Sequence, residues 1–272
     1  MADVRAARTV EWDASSYHRV SNPHIVWGGK VLDRLPLRGD ETVLDAGCGT
    51  GRLTADLIER LPHGRVIALD ASANMLAVAE RELGPRFGDR VRYVHADLQA
   101  LDPATLGGPV DAVFSTATFH WVPDHDRLVA GLFSVLQPGG WLVAQCGGGP
   151  NLARLRTRAD ALLRSHPYAA YIGDWAGPWT FATDVETAAR LGAAGFVDVR
   201  TDLEEQPTPM ADEAAFREFL ATVIFGEHLG RLPDDDVRAT FLNTLTTAAR
   251  ADDPPFELDY WRLNLQGRRP AR

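Results

Sequence analysis

The stretch VLDAGCGTG, which runs from Val43 to Gly51, ends a short apolar run with glycine at three alternate positions, Gly47, Gly49 and Gly51. A glycine-rich turn between a strand and a helix lets the backbone approach a ligand closely, and the helix N-terminus adds partial positive charge. The turn therefore predicts an α/β fold with a ligand at the carboxyl end of its first strand. Its spacing is G-x-G-x-G, whereas dinucleotide-binding turns have G-x-G-x-x-G.

A carboxylate, Asp45, stands two residues before the first of these glycines. A phosphate suits such a turn without further help. A carboxylate about 4 Å away would repel it by roughly 4 kcal/mol at an effective dielectric of about 20. Asp45 therefore favours a ligand that carries positive charge near the turn. It argues against a nicotinamide-dependent oxidoreductase, whose cofactor contains a pyrophosphate.

Strand-like runs alternate with helix-length segments between residues 40 and 148. One of the intervening segments is GRLTADLIERL, in which Leu53, Leu57 and Leu61 share a helical face. This alternation predicts parallel βαβ units, and hence a doubly wound, mostly parallel sheet with helices on both faces. The strand candidates are TVLDAG, RVIALD, RVRYVHAD, VDAVFSTAT and GWLVAQCGG.

Two further aspartates end the second and third strand candidates, Asp70 in RVIALD and Asp97 in RVRYVHAD. Open α/β sheets bind ligands at this edge, and an acidic residue after the second strand takes ribose hydroxyls there. A carboxylate after the third strand can accept a hydrogen bond from an exocyclic amine such as that of adenine. Together with Asp45 they indicate S-adenosylmethionine, which has a sulfonium, an ammonium and an adenosine but no phosphate.

These residues resemble the class I S-adenosylmethionine-dependent methyltransferases over about residues 40–148. VLDAGCGTG matches the first motif of that family, VIALDASANML the acidic motif after it, and VHADLQAL the third. DAVFSTATFHWVPD and LFSVLQPGGWLVAQ match its fourth strand, the following helix and the fifth strand. The resemblance implies a Rossmann-like sheet of seven strands with an antiparallel final strand, for which Phe256–Gln266 is the candidate.

The resemblance also implies a role for each matching residue. Met75 would pack on the adenine, although it is equally well explained as a core methionine. The Leu98 backbone would read the adenine amine together with Asp97. Three further groups complete the site: Asp45, Gly47 and Gly49 around the methionine part, Asp70 and Ala71 at the ribose, and Ser115 with Thr116 under the sulfonium.

The segment ahead of the sheet resembles a subgroup typified by trans-aconitate methyltransferases. That subgroup has W-[ND]-x-x-x-Y in a leading helix that closes over the cofactor, and Trp12, Asp13 and Tyr17 fit this spacing. The basic cluster that would follow is replaced by SNPHIVWGG. A single domain, residues 1–272, is therefore expected, with leading lid helices at 1–39, a cofactor-binding core at 40–148 and substrate-side insertions at 149–182 and 204–254.

The predicted function is methyl transfer from S-adenosylmethionine to a small-molecule acceptor, at a carboxyl or hydroxyl oxygen. A carboxylate needs no general base, whereas a hydroxyl benefits from one. The candidate catalytic residues are His120 and then Tyr17, and His120 can alternatively serve in packing. Methylation of a nitrogen or carbon of a small metabolite, and a regulator that binds the cofactor without catalysis, remain as alternatives. Five aromatic residues either line an acceptor pocket or form the core of the insertion: Trp121, Tyr168, Tyr171, Trp175 and Trp179.

The composition indicates which kinds of partner and which cellular compartment to expect for this protein. The formal net charge is −9, with no basic run, so a nucleic-acid substrate is not expected. The two cysteines, Cys48 and Cys146, fit buried thiols in a reducing cytosol. No signal-like or membrane-spanning run is found, so we expect a cytoplasmic protein without a membrane partner, as monomer or homodimer. No metal site is expected, and DDPPF, residues 252–256, is interpreted as a turn.

Overall fold

Seven strands form the central sheet of the protein: β1 (Thr42–Ala46), β2 (Arg65–Asp70), β3 (Val91–His95), β4 (Val110–Thr116), β5 (Leu136–Gly147), β6 (Val197–Glu205) and β9 (Trp261–Arg268). Across the sheet they lie in the order β3-β2-β1-β4-β5-β9-β6. The structure is a computed structural model, and it describes residues 22–271. Strands β1 to β5 are parallel to one another, whereas β9 pairs antiparallel with both β5 and β6. The doubly wound sheet with an antiparallel final strand is thus confirmed.

Helices cover both faces of this sheet because successive strand side chains point to opposite sides. Val43 packs in the core beneath one helical layer, and its neighbour Leu44 packs in the core beneath the other. Both strand residues are fully buried. The first layer consists of α1 (Asn22–Leu32), α2 (Arg52–Glu59) and α3 (Ala73–Phe87), and the second contains α4 (His125–Val135).

A second group of helices has its own apolar core. We call this group the helical cap; its core includes Leu155, Phe216, Phe225, Phe241 and Leu245. Trp27 and Tyr260 join the same core from α1 and from the start of the final strand. The cap consists of α5 (Ala153–Leu163), α6 (Ala169–Ile172), α8 (Glu213–Phe219), a π-helical turn (Leu220–Ile224), α9 (Gly226–Leu229) and α10 (Asp235–Arg250), whereas α7 (Asp184–Ala193) precedes β6 and packs on the sheet.

The segment QPGG, residues 137–140, belongs to β5 and does not separate a helix from a later strand. Val110 pairs with Leu136, and Ala112 pairs with Trp141, so the intervening residues form an irregular bulge. Gly139 has φ +85°, and a Cβ on Gly140 would meet the Asp111 carbonyl at 2.8 Å. The prediction of a strand from Gly140 onward was therefore four residues short, because a bulge opposite one strand is not visible in sequence periodicity.

The segment 256–268 contains two strands where one was predicted. Glu257–Leu258 (β8) pairs with Thr208–Pro209 (β7) in a separate ribbon, and β9 begins only at Trp261. The break is occupied by Asp259, whose carboxylate accepts a hydrogen bond from the Arg154 backbone N–H at 2.7 Å, at the start of α5.

Within the described residues, no helix combines the length and the apolar character that a membrane crossing requires.

Candidate functional site

A cavity of about 420 Å³ opens at the carboxyl ends of the parallel strands. Its size falls in the range of roughly 300–1,000 Å³ that is common for small-molecule sites. One half, the strand-end half, is lined by residues that follow β1, β2 and β3, namely Gly47, Gly49, Asp70, Ala71, Met75, Asp97 and Leu98. The other half, the aromatic half, is lined by Trp121, Trp175, Trp179, Phe181, Tyr260 and Arg262.

The glycine turn after β1 is held against the neighbouring strand by its backbone. The N–H groups of Gly47 and Cys48 both donate to the Leu69 carbonyl, at 2.8 and 3.0 Å. Gly47 has φ +83°, and a Cβ there would lie 2.2 Å from the Thr118 side chain. Gly49 has φ +55° but faces open space, since a Cβ there would meet no heavy atom of the described chain within 4 Å. Gly47 is thus required for packing within the protein, whereas Gly49 leaves room for a ligand.

Asp70 fixes the turn and lines the cavity at the same time. Its carboxylate accepts hydrogen bonds from the Gly49 N–H at 2.8 Å and the Ser72 N–H at 2.9 Å. Burial raises the pKa of Asp70, and the backbone N–H groups counter part of that shift. A carboxylate has about four acceptor positions, so Asp70 can receive a hydroxyl donor from a ligand in the cavity in addition to its backbone N–H donors.

Asp97 lies on the same wall in a more exposed position. Its Oδ1 accepts a hydrogen bond from the Gln99 N–H at 2.8 Å, which caps the short 3₁₀ turn Leu98–Ala100. Leu98 and Met75 are buried beside it and line the cavity. The strand-end half therefore has an apolar floor with two carboxylates at its edge.

Asp45 and Ser115 lie beneath the cavity and not on its wall. The Asp45 carboxylate, which is 3% exposed, accepts a hydrogen bond from Thr54 Oγ1 at 2.6 Å. Burial raises the pKa of Asp45 to about 7; the Thr54 hydroxyl lowers it and the negative charge of Asp70 raises it further. Ser115 Oγ donates to the Ala46 carbonyl at 2.6 Å, which ties β4 to β1. Asp45 can therefore act on a ligand through its charge more readily than by contact.

His120 lies in the short 3₁₀ turn Phe119–Trp121 and lines the cavity between its two halves. Its Nδ1 accepts a hydrogen bond from the Gly147 backbone N–H at 3.3 Å. Because an N–H group can only donate, the neutral imidazole carries its proton on Nε2. The ring stacks on Phe181, with centroids 5.7 Å apart and planes inclined by 25°. In this neutral form Nε2 is a donor, whereas a general base would need a bare nitrogen there.

Three of the five aromatic candidates line the cavity, and two do not. Trp121, Trp175 and Trp179 face it, and Trp179 stacks on Phe181 with centroids 5.9 Å apart. Tyr168 is buried in the core of the helical cap, and Tyr171 is 44% exposed on its surface. Tyr17, the other candidate catalytic residue, lies outside the described residues, as do Trp12 and Asp13.

Two arginines also line the aromatic half, and the sequence analysis singled out neither of them. Arg262 is buried on β9, with its guanidinium 4.6 Å from the Trp27 ring centroid and its Nε 3.5 Å from Gln145 Oε1. Arg231 follows α9 and lies over the Trp175 ring at 3.8 Å. The only available sequence signal was an arginine within the alternating final strand, where a buried position is unusual for a charged residue.

The segment DDPPF, residues 252–256, is a turn away from this cavity, as interpreted from the sequence. Asp252 forms a bidentate ion pair with Arg158, with N–O distances of 2.8 and 2.6 Å, which joins the turn to α5. In the part of the chain that the structure describes, no three His, Cys, Asp or Glu side chains are arranged to hold a metal ion.

Comparisons with known proteins agree with this geometry. A family profile described as "Methyltransferase domain" matches residues 43–140. The chain is 33% identical over 251 residues to a trans-aconitate 2-methyltransferase of Methylobacterium radiotolerans, across 90% of this chain and 91% of that protein. A trans-aconitate 2-methyltransferase of Azoarcus sp. is 40% identical over 134 residues, which span half of that protein.

Solved structures share the fold. Phosphoethanolamine N-methyltransferase 2 of Haemonchus contortus, in complex with S-adenosyl-L-methionine, is similar over 94% of this chain and 56% of that chain. The TM-score is 0.59 and the sequence identity 18%. At this identity the likeness concerns the fold alone.

Proposed function

The chain belongs to the S-adenosylmethionine-dependent methyltransferases, and from this premise we propose that it methylates a carboxylate oxygen of a small-molecule acceptor. S-adenosylmethionine is the cofactor of this family, and the strand-end half of the cavity fits it. The relatives named trans-aconitate 2-methyltransferase support an acid as acceptor.

We assign the strand-end residues to the cofactor by their chemistry. Asp70 would bind the ribose hydroxyls, Asp97 the adenine amine, and Met75 and Leu98 the adenine faces. The backbone at Gly49 leaves space for the methionine part, next to the buried charge of Asp45. When bound, S-adenosylmethionine supplies a methyl carbon activated by its sulfonium. The chain aligns the acceptor with that carbon and excludes water from it.

The observation that carries the choice of a carboxylate is the hydrogen bond between His120 Nδ1 and the Gly147 N–H. With Nδ1 occupied in this way, the neutral imidazole carries its proton on Nε2 and has no bare nitrogen to serve as the base that a hydroxyl acceptor would need. A carboxylate is already ionised near neutral pH and gains from a donor that orients it. Arg262, in the same cavity wall, adds positive charge that suits an acid.

The chemistry of the product tests this proposal. We expect methyl label from S-adenosylmethionine to enter carboxylic acids, trans-aconitate among them, and to be released as methanol in mild alkali because methyl esters hydrolyse there. Phenols, alcohols and amines of similar size serve as competing acceptors. Label that is stable to alkali would contradict a carboxylate acceptor. Cofactor binding without transfer to any acceptor of a broad panel would favour the regulator alternative.

Replacing His120 with glutamine is expected to reduce kcat for a carboxylic acid by less than about tenfold, since glutamine retains a donor near the Nε2 position. Loss of a general base would reduce kcat by about 10²–10⁴-fold and would remove a limb from the pH–rate profile. Steady-state kinetics between pH 5.5 and 9 measure both quantities. A loss of the larger size, together with the missing limb, would assign His120 to base catalysis.

Cofactor affinity is expected to fall below pH 7, because burial raises the pKa of Asp45 to about 7 in the ligand-free chain. A cationic ligand favours the ionised carboxylate, so protonation of Asp45 and cofactor binding oppose each other. The affinity for S-adenosylmethionine should therefore drop by up to about tenfold per pH unit below 7. Calorimetry in buffers of different ionisation enthalpy measures the affinity and the protons released.

The isosteric variant Asp45→Asn is the control for this pH dependence. It should bind the cofactor more weakly at pH 8 and with a flatter pH profile. Because the folded pKa of Asp45 is raised above its ordinary value of 3.8, the ionised carboxylate costs stability increasingly as pH rises toward 7. In urea unfolding the variant should therefore be more stable than the wild type at pH 8 and similar at pH 4. Parallel binding profiles for both proteins would remove Asp45 from the explanation.

A further inference from the structure

Arg231 stacks on an aromatic ring at the rim of the cavity. Its guanidinium carbon lies 3.8 Å from the centroid of the Trp175 ring, and both residues line the cavity. The side chain is exposed, so its charge remains hydrated on the outer side. A guanidinium stacked on an indole keeps its N–H groups in the plane of the fork, where they can bind a carboxylate through two parallel hydrogen bonds.

The charge of Arg231 is not paired with an acidic side chain of the described residues. None of the ion pairs within residues 22–271 includes it, although Glu227 lines the same cavity four residues earlier. Other arginines of the helical cap are paired, as in Arg158–Asp252 and Arg250–Glu213. Burial, together with the positive charge of Arg231, lowers the pKa of its neighbour His228 to about 4.

Arg231 and Arg262 occupy different depths of the aromatic half. Arg262 is 2% exposed and enters from β9, whereas Arg231 is exposed and follows α9. The wall of this half also contains Trp175, Trp179 and Tyr260, so it is largely aromatic. This arrangement suits an acceptor with one acidic group inside the cavity and another at its rim.

We propose that Arg231, stacked on Trp175, binds a second carboxylate of the acceptor and makes the enzyme selective for dicarboxylic acids over monocarboxylic acids. This inference rests on the proposed function. The carboxylate to be methylated lies inside the cavity, and the second carboxylate accepts hydrogen bonds from the Arg231 guanidinium at the rim. Arg231 is thus a specificity-determining residue that takes no part in the transfer itself.

The test uses the full-length enzyme with succinate, glutarate and adipate, each compared with its monoamide, which retains a single carboxylate. For the best diacid we expect Arg231→Gln to raise KM by at least about tenfold, with a change in kcat below about threefold. The monoamide should show nearly the same KM with both proteins. Arg231→Lys retains the charge but not the fork, so its KM for the diacid should lie between those of the wild type and Arg231→Gln.

Arg164→Gln is the matched control, because Arg164 is an exposed arginine of the helical cap outside the cavity and the substitution changes the net charge equally. It should leave KM for the diacid unchanged. Thermal unfolding and S-adenosylhomocysteine affinity should be the same in Arg164→Gln, Arg231→Gln and wild type. These two readouts separate a binding role for Arg231 from a role in folding or in holding the cofactor.

Equal KM values for Arg231→Gln and Arg164→Gln with the diacid would overturn the inference and leave the proposed function standing. A wild-type enzyme that methylates the monoamide as efficiently as the diacid would overturn it as well. So would a parallel loss of S-adenosylhomocysteine affinity in Arg231→Gln, which would assign this arginine to the cofactor. If no carboxylic acid of any kind is methylated, the proposed function itself is wrong and the inference falls with it.

Discussion

Replacing Asp70 with alanine is expected to weaken S-adenosylmethionine binding by about 100-fold. A charge-assisted hydrogen bond contributes about 1.5–3 kcal/mol, so the ribose contact alone accounts for much of this loss. The remainder comes from the glycine turn, because the N–H groups of Gly49 and Ser72 lose their acceptor at the same time. Calorimetric titration of wild type and variant with S-adenosylhomocysteine measures the effect without turnover.

Asp97→Ala provides the comparison, since Asp97 lines the same half of the cavity but is exposed. Water competes for its hydrogen bonds, so its removal should weaken binding by about tenfold or less. Asp70→Asn should lose part of the affinity that Asp70→Ala loses, because the amide nitrogen of asparagine cannot accept a hydrogen bond from either backbone N–H. Unchanged affinity in Asp70→Ala would refute the assignment of this carboxylate to the ribose.

Replacing Gly47 with alanine is expected to destabilise the fold by about 3 kcal/mol or more and to abolish detectable cofactor binding. The left-handed φ of +83° penalises any residue with a Cβ, by about 1–2 kcal/mol. The new methyl group would also lie 2.2 Å from the Thr118 side chain, and relief of such overpacking costs about 1–3 kcal/mol. Thermal and urea unfolding measure the loss of stability.

Two further variants separate the two causes. The double variant Gly47→Ala with Thr118→Gly removes the collision and retains the backbone strain, so it should recover part of the lost stability. Gly49→Ala has φ +55° but no atom of the described residues within 4 Å of the new Cβ, so it should cost only about 1 kcal/mol of stability. Its cofactor affinity should fall much further, if a ligand occupies that space. Equal destabilisation by Gly47→Ala and Gly49→Ala would exclude Thr118 as the cause.

The parallel part of the fold could be predicted because local signals and tertiary structure agree there. Apolar runs end in glycine or aspartate where the strands end, and Ser72, a residue type favoured at N-caps, accepts a hydrogen bond from the Met75 N–H. The glycine turn and Asp70 followed from the same logic, since carboxyl ends of parallel strands meet at one edge. Their placement on the cavity wall is observed, and their roles toward the cofactor remain predictions.

Only part of the aromatic half could be predicted. Trp121, Trp175 and Trp179 were candidates, whereas Phe181, Tyr260 and Arg262 were not, because the residues of this half are distant in sequence and follow no local pattern. Arg262 looked like one polar position in an alternating strand, yet it is buried against Trp27. Between α8 and α9, the π-helical turn Leu220–Ile224 places Val223 and Ile224 on the cavity. A π turn has the same residue preferences as an α-helix, and its wider hydrogen-bond spacing is set by tertiary packing.

The position of β9 between β5 and β6 has a consequence for how the protein matures. β9 follows every other strand in the described chain, yet it occupies an interior place in the sheet, with partners on both sides. Until it inserts, β5 and β6 expose unpaired edges, and pairing over such long sequence separations is slow. Arg262 arrives with this strand. During synthesis, a nascent chain can therefore assemble the strand-end half of the cavity before Tyr260 and Arg262 complete the aromatic half.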